Sequence, residues 1–386
     1  MTKPPDLMLA VLLFLILALS AFIFQFNGLF GQDAHEYLRL TRALNDYFKN
    51  GTALTHSYFP IFYPFAGLLV SKVVWNDIVA MQLVSILSLV ISFFYLKKLI
   101  GIIHDNGKWV NGWLILFFFF SPYVFRFGLL SMSDMLCLLF VIAAVYHAIR
   151  FSKLGAWKDS CWSACFGACA IETRYAAVVI IIFPAIILVR KFIRSADWKT
   201  ALISAVAALI VFLPDLLIRK RLGFLDVSNS KFRIDYGSNA YSWSPFNFFR
   251  NVFENADGVQ HYNVWNMVAA TYNVIHPAYI FTGIVFLFFL KKKDFASTEI
   301  KMMSAIIIVY GLFIAGLQYQ NNRYLLQSFP WVIIIFFPAA QRLAARFISE
   351  PIQLTFVAGI VVAQQALFWY SFQNIYTLNQ TEREIA

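Results

Sequence analysis

Residues 7–24 run for eighteen positions with a single serine, Ser20, and no charge. As a helix, that run is long enough to cross most of a bilayer's hydrocarbon core. Comparable runs recur along the chain, and 60% of its 386 residues are hydrophobic against 13% charged. Ordinary soluble domains carry about 25% charged residues, so a water-soluble fold has nowhere to place this much apolar surface. The fold class expected is an all-α polytopic membrane protein with about eleven transmembrane helices and interfacial helices in the first outer loop. The spans fall near 7–27, 78–96, 110–126, 135–149, 160–173, 175–190, 199–218, 274–290, 302–318, 324–341 and 352–371. The first run has only Lys3 as a basic flank and no small-residue cleavage site after it, so it reads as a retained helix.

Orientation follows from short loops rich in Lys and Arg. Lys97-Lys98 with Lys108, Arg150/Lys153/Lys158, Arg190/Lys191/Arg194/Lys199, Lys291-Lys292-Lys293/Lys301 and Arg342/Arg346 share one side if the N-terminus is cytoplasmic. This parity requires that residues 60–75 do not cross. They number only sixteen, begin with Pro60 and Pro64, and contain Lys72, as suits a helix in the outer interface. Two long outer loops result, 28–77 and 219–273, with the C-terminus also outside. No repeat, linker or low-complexity tract divides residues 1–386, so one transmembrane domain is expected. The net charge of +11 then reflects this loop bias and anionic lipid headgroups rather than nucleic acid. Cys161, Cys165 and Cys169 recur every four residues in a span and read as a small-residue packing seam.

The polar residues that matter sit at the outer ends of spans. The first outer loop opens Gly31-Gln32-Asp33-Ala34-His35-Glu36-Tyr37, followed by Leu40, Leu44, Tyr47 and Phe48 at helical spacing. That pattern is an amphipathic helix. Asp33 at its start reads both as an N-cap and as a carboxylate able to accept a proton from a hydroxyl, and the two are compatible. Ser131-Met132-Ser133-Asp134 follows the third span, where Asp134 either caps the next helix or orients a substrate. Glu172-Thr173-Arg174-Tyr175 lies between two spans, and Asn322-Arg323-Tyr324 with Pro330 opens a late one. Arg174 and Arg323 either snorkel to the interface or bind phosphate, for which a guanidinium fork is well shaped. Glu172 either pairs with Arg174 or joins the site. The run Arg219-Lys220-Arg221 is a solvated surface patch or a further phosphate contact. Ser244-Pro245 reads as the start of a short apolar helix carrying Phe246, Phe248, Phe249 and Phe253.

Taken in order, and with His56-Ser57-Tyr58-Phe59-Pro60 and Tyr63-Pro64 between them, these segments resemble the GT-C class of glycosyltransferases. The nearest branch is that of the protein O-mannosyltransferases and the aminoarabinose transferase of lipid A. The resemblance implies a GT-C-like fold and a sugar moved from a polyprenyl-phosphate carrier to a hydroxyl of a protein, lipid or glycan. It implies Asp33 as the catalytic carboxylate, with Asp134 and Glu36 beside it, although Ala34 and His35 separate Asp33 from Glu36 where the family often has adjacent acids. It implies Arg174, Arg323, Arg219, Lys220 and Arg221 around the donor phosphate, and His35, Tyr37, His56, Tyr63, Glu172, Tyr175 and Tyr324 around donor or acceptor. A transporter or flippase of a lipid-linked saccharide is the rival reading, but it predicts inverted repeats and midplane charges, which the sequence does not show. No Gly-rich phosphate loop points to a nucleotide-sugar donor, and no cofactor is certain. The scattered histidines make a poor metal signal, a divalent cation at Asp33, His35 and Glu36 being the weak alternative. A bacterial inner membrane is the expected location.

Overall fold

The structure, a computed structural model, describes residues 4–52, 59–104, 109–221, 243–255, 258–261, 264–271, 287–317, 321–347 and 350–385. His56 and most of the expected span at 274–290 lie outside the described residues. Chain contacts fall into two compact units, Met1–Leu216 with Ile348–Ala386, and Leu217–Phe347.

The first unit contains α1 (Pro4–Ile23), α2 (Gly31–Asn50), α3 (Phe62–Val74), α4 (Asp77–Ile103), α5 (Val110–Leu114), α6 (Pro122–Leu129), α7 (Ser133–Leu154), α8 (Trp157–Thr173), α9 (Val178–Ser195) and α10 (Trp198–Arg221), whose last turns enter the second unit. The described residues of the second unit include α11 (Thr298–Ala315) and α12 (Phe329–Phe347), and α13 (Glu350–Ile385) returns to the first. Helix α7 is the core of the first unit, packed by α4, α8 and α9. Its neighbour α8 approaches on the buried small residues Ser163 and Ala170: Ser163 Oγ donates to the Ala144 carbonyl at 2.8 Å, and Cys137 Sγ meets the Ala170 carbonyl at 3.8 Å. Small side chains let helix backbones approach closely where lipid gives no hydrophobic drive. The seam expected at Cys161, Cys165 and Cys169 lies off this stripe, and those thiols are only partly buried. Asn76 starts α4 by accepting from the amides of Ile78 and Val79 at 3.0 and 3.1 Å, the usual N-cap economy. Helix α13 docks through aromatics: Phe372 lies 4.9 Å from Phe26 and Phe368 lies 5.0 Å from Phe125.

Among the described residues seven helices are long and apolar enough to cross a membrane, or eight if one bent pair counts as a span. The chain is an integral membrane protein, but these residues do not reach the expected count of eleven. The span expected at 110–126 is broken: a π-helical turn at Ile115–Phe119 is followed by α6, bent by 70° from what precedes it. The cause is local, because Pro122 has no amide for the ladder and drives Ser121 out of the α region. Helix α8 has 17 residues and α3 has 13. At about 1.5 Å per residue α3 rises about 20 Å, too short to span about 30 Å of hydrocarbon. In contrast, α13 runs for 36 residues, well past the expected 352–371.

Contacts between loops and helix ends define two ends of this unit. Lys97 Nζ on α4 meets Asp6 at 2.5 Å, and Lys153 Nζ donates to the Ile102 carbonyl at 3.0 Å. Lys191 Nζ reaches the Ser152 carbonyl at 3.4 Å. The start of α1 and three of the basic clusters therefore share one end of the bundle, the parity expected if residues 60–75 do not cross.

The second unit spans Leu217–Phe347. Besides α11 and α12 it holds a two-stranded antiparallel hairpin, β1 (Val252–Asn255) with β2 (Gly258–His261), which the helical expectation omitted. Ser244 does cap a helical turn, accepting from Phe246 N, but the turn is a short 3-10 segment, Pro245–Phe249. Arg342 anchors the other side, pairing with Asp294 and donating to the Phe289 carbonyl at 2.6 Å.

Candidate active site

Site construction begins with a knot of hydrogen bonds where the first loop leaves α1. Gly28 adopts φ +84° and accepts from Ser131 N at 2.8 Å. Gln82 of α4 donates to the carbonyls of Phe26 and Leu129, both at 3.0 Å. Asn379 of α13 donates to Asn27 Oδ1 at 2.7 Å and to the Leu29 carbonyl at 2.9 Å. Four stretches far apart in sequence are thereby tied at the bundle end opposite the basic clusters. Gly28 is required on two counts. A Cβ there would stand 2.4 Å from Ser131 Oγ, and the left-handed backbone is one that only glycine adopts freely. Gly28→Ala is therefore expected to destabilise the fold by about 1–3 kcal/mol, read as a lower unfolding midpoint in detergent.

From this knot α2 starts at Gly31, three residues earlier than a cap at Asp33 would require. Its N-cap is Phe30, which provides no side-chain acceptor, and Asp33 sits half-buried in the first turn. One turn further, Tyr37 is buried, its ring 5.1 Å from that of Tyr63. Its hydroxyl shares a 2.8 Å hydrogen bond with Ser133 Oγ. Burial pushes the Tyr37 phenol well above its ordinary pKa, Arg174 and the Ser133 hydrogen bond oppose the shift, and Asp134 and Asp33 add to it. Tyr37 is thus a neutral hydroxyl that feels both carboxylates and the guanidinium, which places Asp33, Asp134 and Arg174 around it.

Asp134 lies in the first turn of α7, whose N-cap is Met132 without a side-chain cap, so Asp134 is not the cap. It is 2% exposed and ion-paired with Arg174, itself 16% exposed. The carboxylate gains from the positive end of the α7 dipole as well as from the guanidinium. Arg174 stands in extended backbone at the end of α8, before a short 3-10 turn, Tyr175–Ala177, leads into α9. That break aims the arginine across at α7. Glu172 is buried in the last turn of α8, and Tyr175 is 44% exposed.

The other expected residues occupy different surroundings. Glu36 is held by Arg39 through two contacts of 2.7 and 2.6 Å on the outer side of α2. His35 is exposed on that side, in an open groove shared with Arg39, Arg42 and Asp46 that includes neither Asp33 nor Arg174. Tyr63 is fully buried, its hydroxyl donating to the Met81 carbonyl at 3.0 Å and 3.1 Å from Ser85 Oγ. Burial, only partly opposed by that bond to Ser85, drives the Tyr63 phenol far up. Arg323 and Tyr324 belong to the second unit, in a 3-10 segment, Asn322–Ser328, capped by Asn321 Oδ1 on Arg323 N. The guanidinium of Arg323 lies 5.4 Å over the Tyr324 ring. Arg219, Lys220 and Arg221 form the last turn of α10. Among the described residues no three His, Cys, Asp or Glu side chains are grouped to hold a metal ion, so Asp33, His35 and Glu36 do not make that site.

Sequence reasoning missed Gln82 and Ser85, which hold the loops in place. Their signal was present: Gln82, Ser85, Ser88 and Ser92 are polar positions inside an apolar span, and all four are buried on α4. Gln82, Ser85 and Ser88 each bond to a backbone carbonyl, as costly polar groups at membrane depth do.

Comparisons with known proteins bear on the fold. Residues 59–218 match the family model of dolichyl-phosphate-mannose-protein mannosyltransferases. No curated protein matches the sequence. Among solved structures, apo ArnT from Cupriavidus metallidurans superposes with a TM-score of 0.61 at 16% identity, covering 97% of this chain and 72% of that one. The same protein bound to undecaprenyl phosphate gives a TM-score of 0.60 at 14% identity, covering 98% of this chain and 72% of that one. The resemblance to the GT-C glycosyltransferases is accordingly present twice, in the sequence pattern of residues 59–218 and in a fold shared along nearly the whole chain.

Proposed function

We propose that this protein is a glycosyltransferase that moves a sugar from a polyprenyl-phosphate carrier to an acceptor hydroxyl on the extracytoplasmic face of a bacterial inner membrane. The observation that carries the reading is the convergence of Asp33, Tyr37, Asp134 and Arg174 at the bundle end opposite the basic clusters. A relative of the same fold was solved with undecaprenyl phosphate bound, which fits a lipid-phosphate donor.

In this reaction the acceptor oxygen attacks the anomeric carbon and the bond from that carbon to the phosphate oxygen breaks, inverting the centre. Asp33, half-buried and reachable, takes the acceptor proton as general base. Negative charge grows on the departing polyprenyl phosphate, and Arg174 stabilises it; Asp134 fixes the direction of that guanidinium. Preorganised positive charge where charge develops is usually the largest catalytic contribution. Tyr37 donates a neutral hydroxyl, Tyr63 supports its ring, and Glu172 and Tyr175 border donor and acceptor. Both termini follow from this orientation, the N-terminus cytoplasmic and the C-terminus outside.

Purified protein incubated with a panel of polyprenyl-phosphate sugars and hydroxyl acceptors should release free polyprenyl phosphate together with a glycosylated product. Sugar lipid that crosses proteoliposomes intact, with no release, would instead indicate transport and end this reading. Glu36 gives an internal contrast. Its pair with Arg39 is largely exposed, at 28% and 42%, and such pairs contribute about 0.2–1 kcal/mol. Glu36→Gln should therefore leave turnover within about twofold, whereas a proton-transfer role would cost at least about a hundredfold.

A further inference from the structure

Arg126 belongs to neither the knot nor the ion pair, yet it is the less expected residue. It lies in the last turn of α6, the helix set at 70° to the preceding segment. Its guanidinium sits 5.4 Å from the Tyr123 ring centre and 5.3 Å from that of Phe127. Its Nε is buried without a hydrogen-bond partner, and among the described residues no carboxylate pairs with it. Buried charges in proteins are otherwise paired, because removing an ion from water is expensive unless an opposite charge replaces the solvent. Arginines that merely snorkel keep the head in water, but here the Nε is sealed and the head lies against two aromatic rings. Ring faces attract a cation without neutralising it. What remains unfilled is an anion.

We propose that Arg126 binds the phosphate group of a membrane lipid. The fork of a guanidinium matches phosphate oxygens in pairs, and phosphate is the anion that lipids bring to the end of a membrane helix. Two sources carry this chemistry, a bilayer phospholipid and a polyprenyl phosphate. The inference needs only that the chain spans a membrane, and it does not rest on the transfer reaction.

The test compares wild-type protein with Arg126→Gln and Arg126→Lys by native mass spectrometry. Four lipids are offered: phosphatidylglycerol, diacylglycerol, undecaprenyl phosphate and undecaprenol. Wild type is expected to retain at least one phosphate-bearing lipid about tenfold better than its phosphate-free partner, Arg126→Gln to lose that preference, and Arg126→Lys to keep part of it. Loss confined to phosphatidylglycerol assigns the site to bilayer lipid, and loss confined to undecaprenyl phosphate assigns it to the carrier. An Arg126→Gln protein that keeps both preferences overturns the proposal. Should that variant fail to fold, wild-type protein can be labelled with phenylglyoxal and the peptide containing Arg126 quantified. Protection by phosphate lipids supports the site, and equal labelling with and without them overturns it. Activity of the wild-type enzyme on a lipid-linked sugar is a separate measurement, so failure here leaves the proposed reaction standing.

Discussion

Asp33→Asn should lower turnover by about 10²–10⁴-fold, the usual contribution of a positioned general base, while leaving expression, unfolding temperature and lipid binding close to wild type. The reason for the small structural cost is local. Asp33 lies in the first turn of α2 without capping it, since the N-cap is Phe30. An amide therefore fills the same space, and the favourable charge it gives up at the helix start is worth about 0.3–1 kcal/mol. What the amide cannot do is accept the acceptor's proton. Release of polyprenyl phosphate from a sugar lipid, measured with saturating acceptor, is the decisive readout. A variant with more than about a tenth of wild-type turnover would remove Asp33 from the role of base.

Arg174→Met carries a different and larger structural cost. Asp134 is 2% exposed and sits at the bundle end opposite the basic clusters, beside Tyr37 and Ser133. Removing its guanidinium partner leaves a carboxylate uncompensated in the interior, a defect that typically costs about 3–5 kcal/mol. The same substitution removes the positive charge proposed to meet the leaving phosphate. Stability and turnover should therefore fall together in Arg174→Met. Adding Asp134→Asn removes the stranded charge, so the double variant should recover much of the stability and none of the activity. The contrast separates the structural task of the pair from the chemical one. A double variant no more stable than Arg174→Met would mean that the two residues do not act as a pair in the folded protein.

Much of this arrangement was legible in the chain. Apolar runs of membrane length located most of the helices, because a bilayer forces each crossing segment to satisfy its backbone internally. The clustering of Lys and Arg assigned their ends, and the contacts of Lys97 with Asp6 and of Lys153 with Ile102 place those clusters together. The motif around Thr173-Arg174-Tyr175 correctly marked a break between two helices. The interruption of 110–126 was also written there, in Ser121-Pro122, but a hydropathy reading averages over a proline that geometry does not.

Partnership was not legible. Nothing in one dimension says that Arg174 faces Asp134, forty positions away in sequence, or that Tyr37 bonds to Ser133, ninety-six positions away. Nor does it say that Glu36, which the motif set beside Asp33, turns outward to Arg39. Hydropathy and charge are properties each residue carries alone, so the sequence by itself located most of the helices and gathered the basic clusters at one end of the bundle. Which of those residues touch depends on how α2, α7 and α8 pack, and only the tertiary structure decided that. The physical reason is that a buried charge is tolerated only with its partner in place, a condition no residue meets by itself.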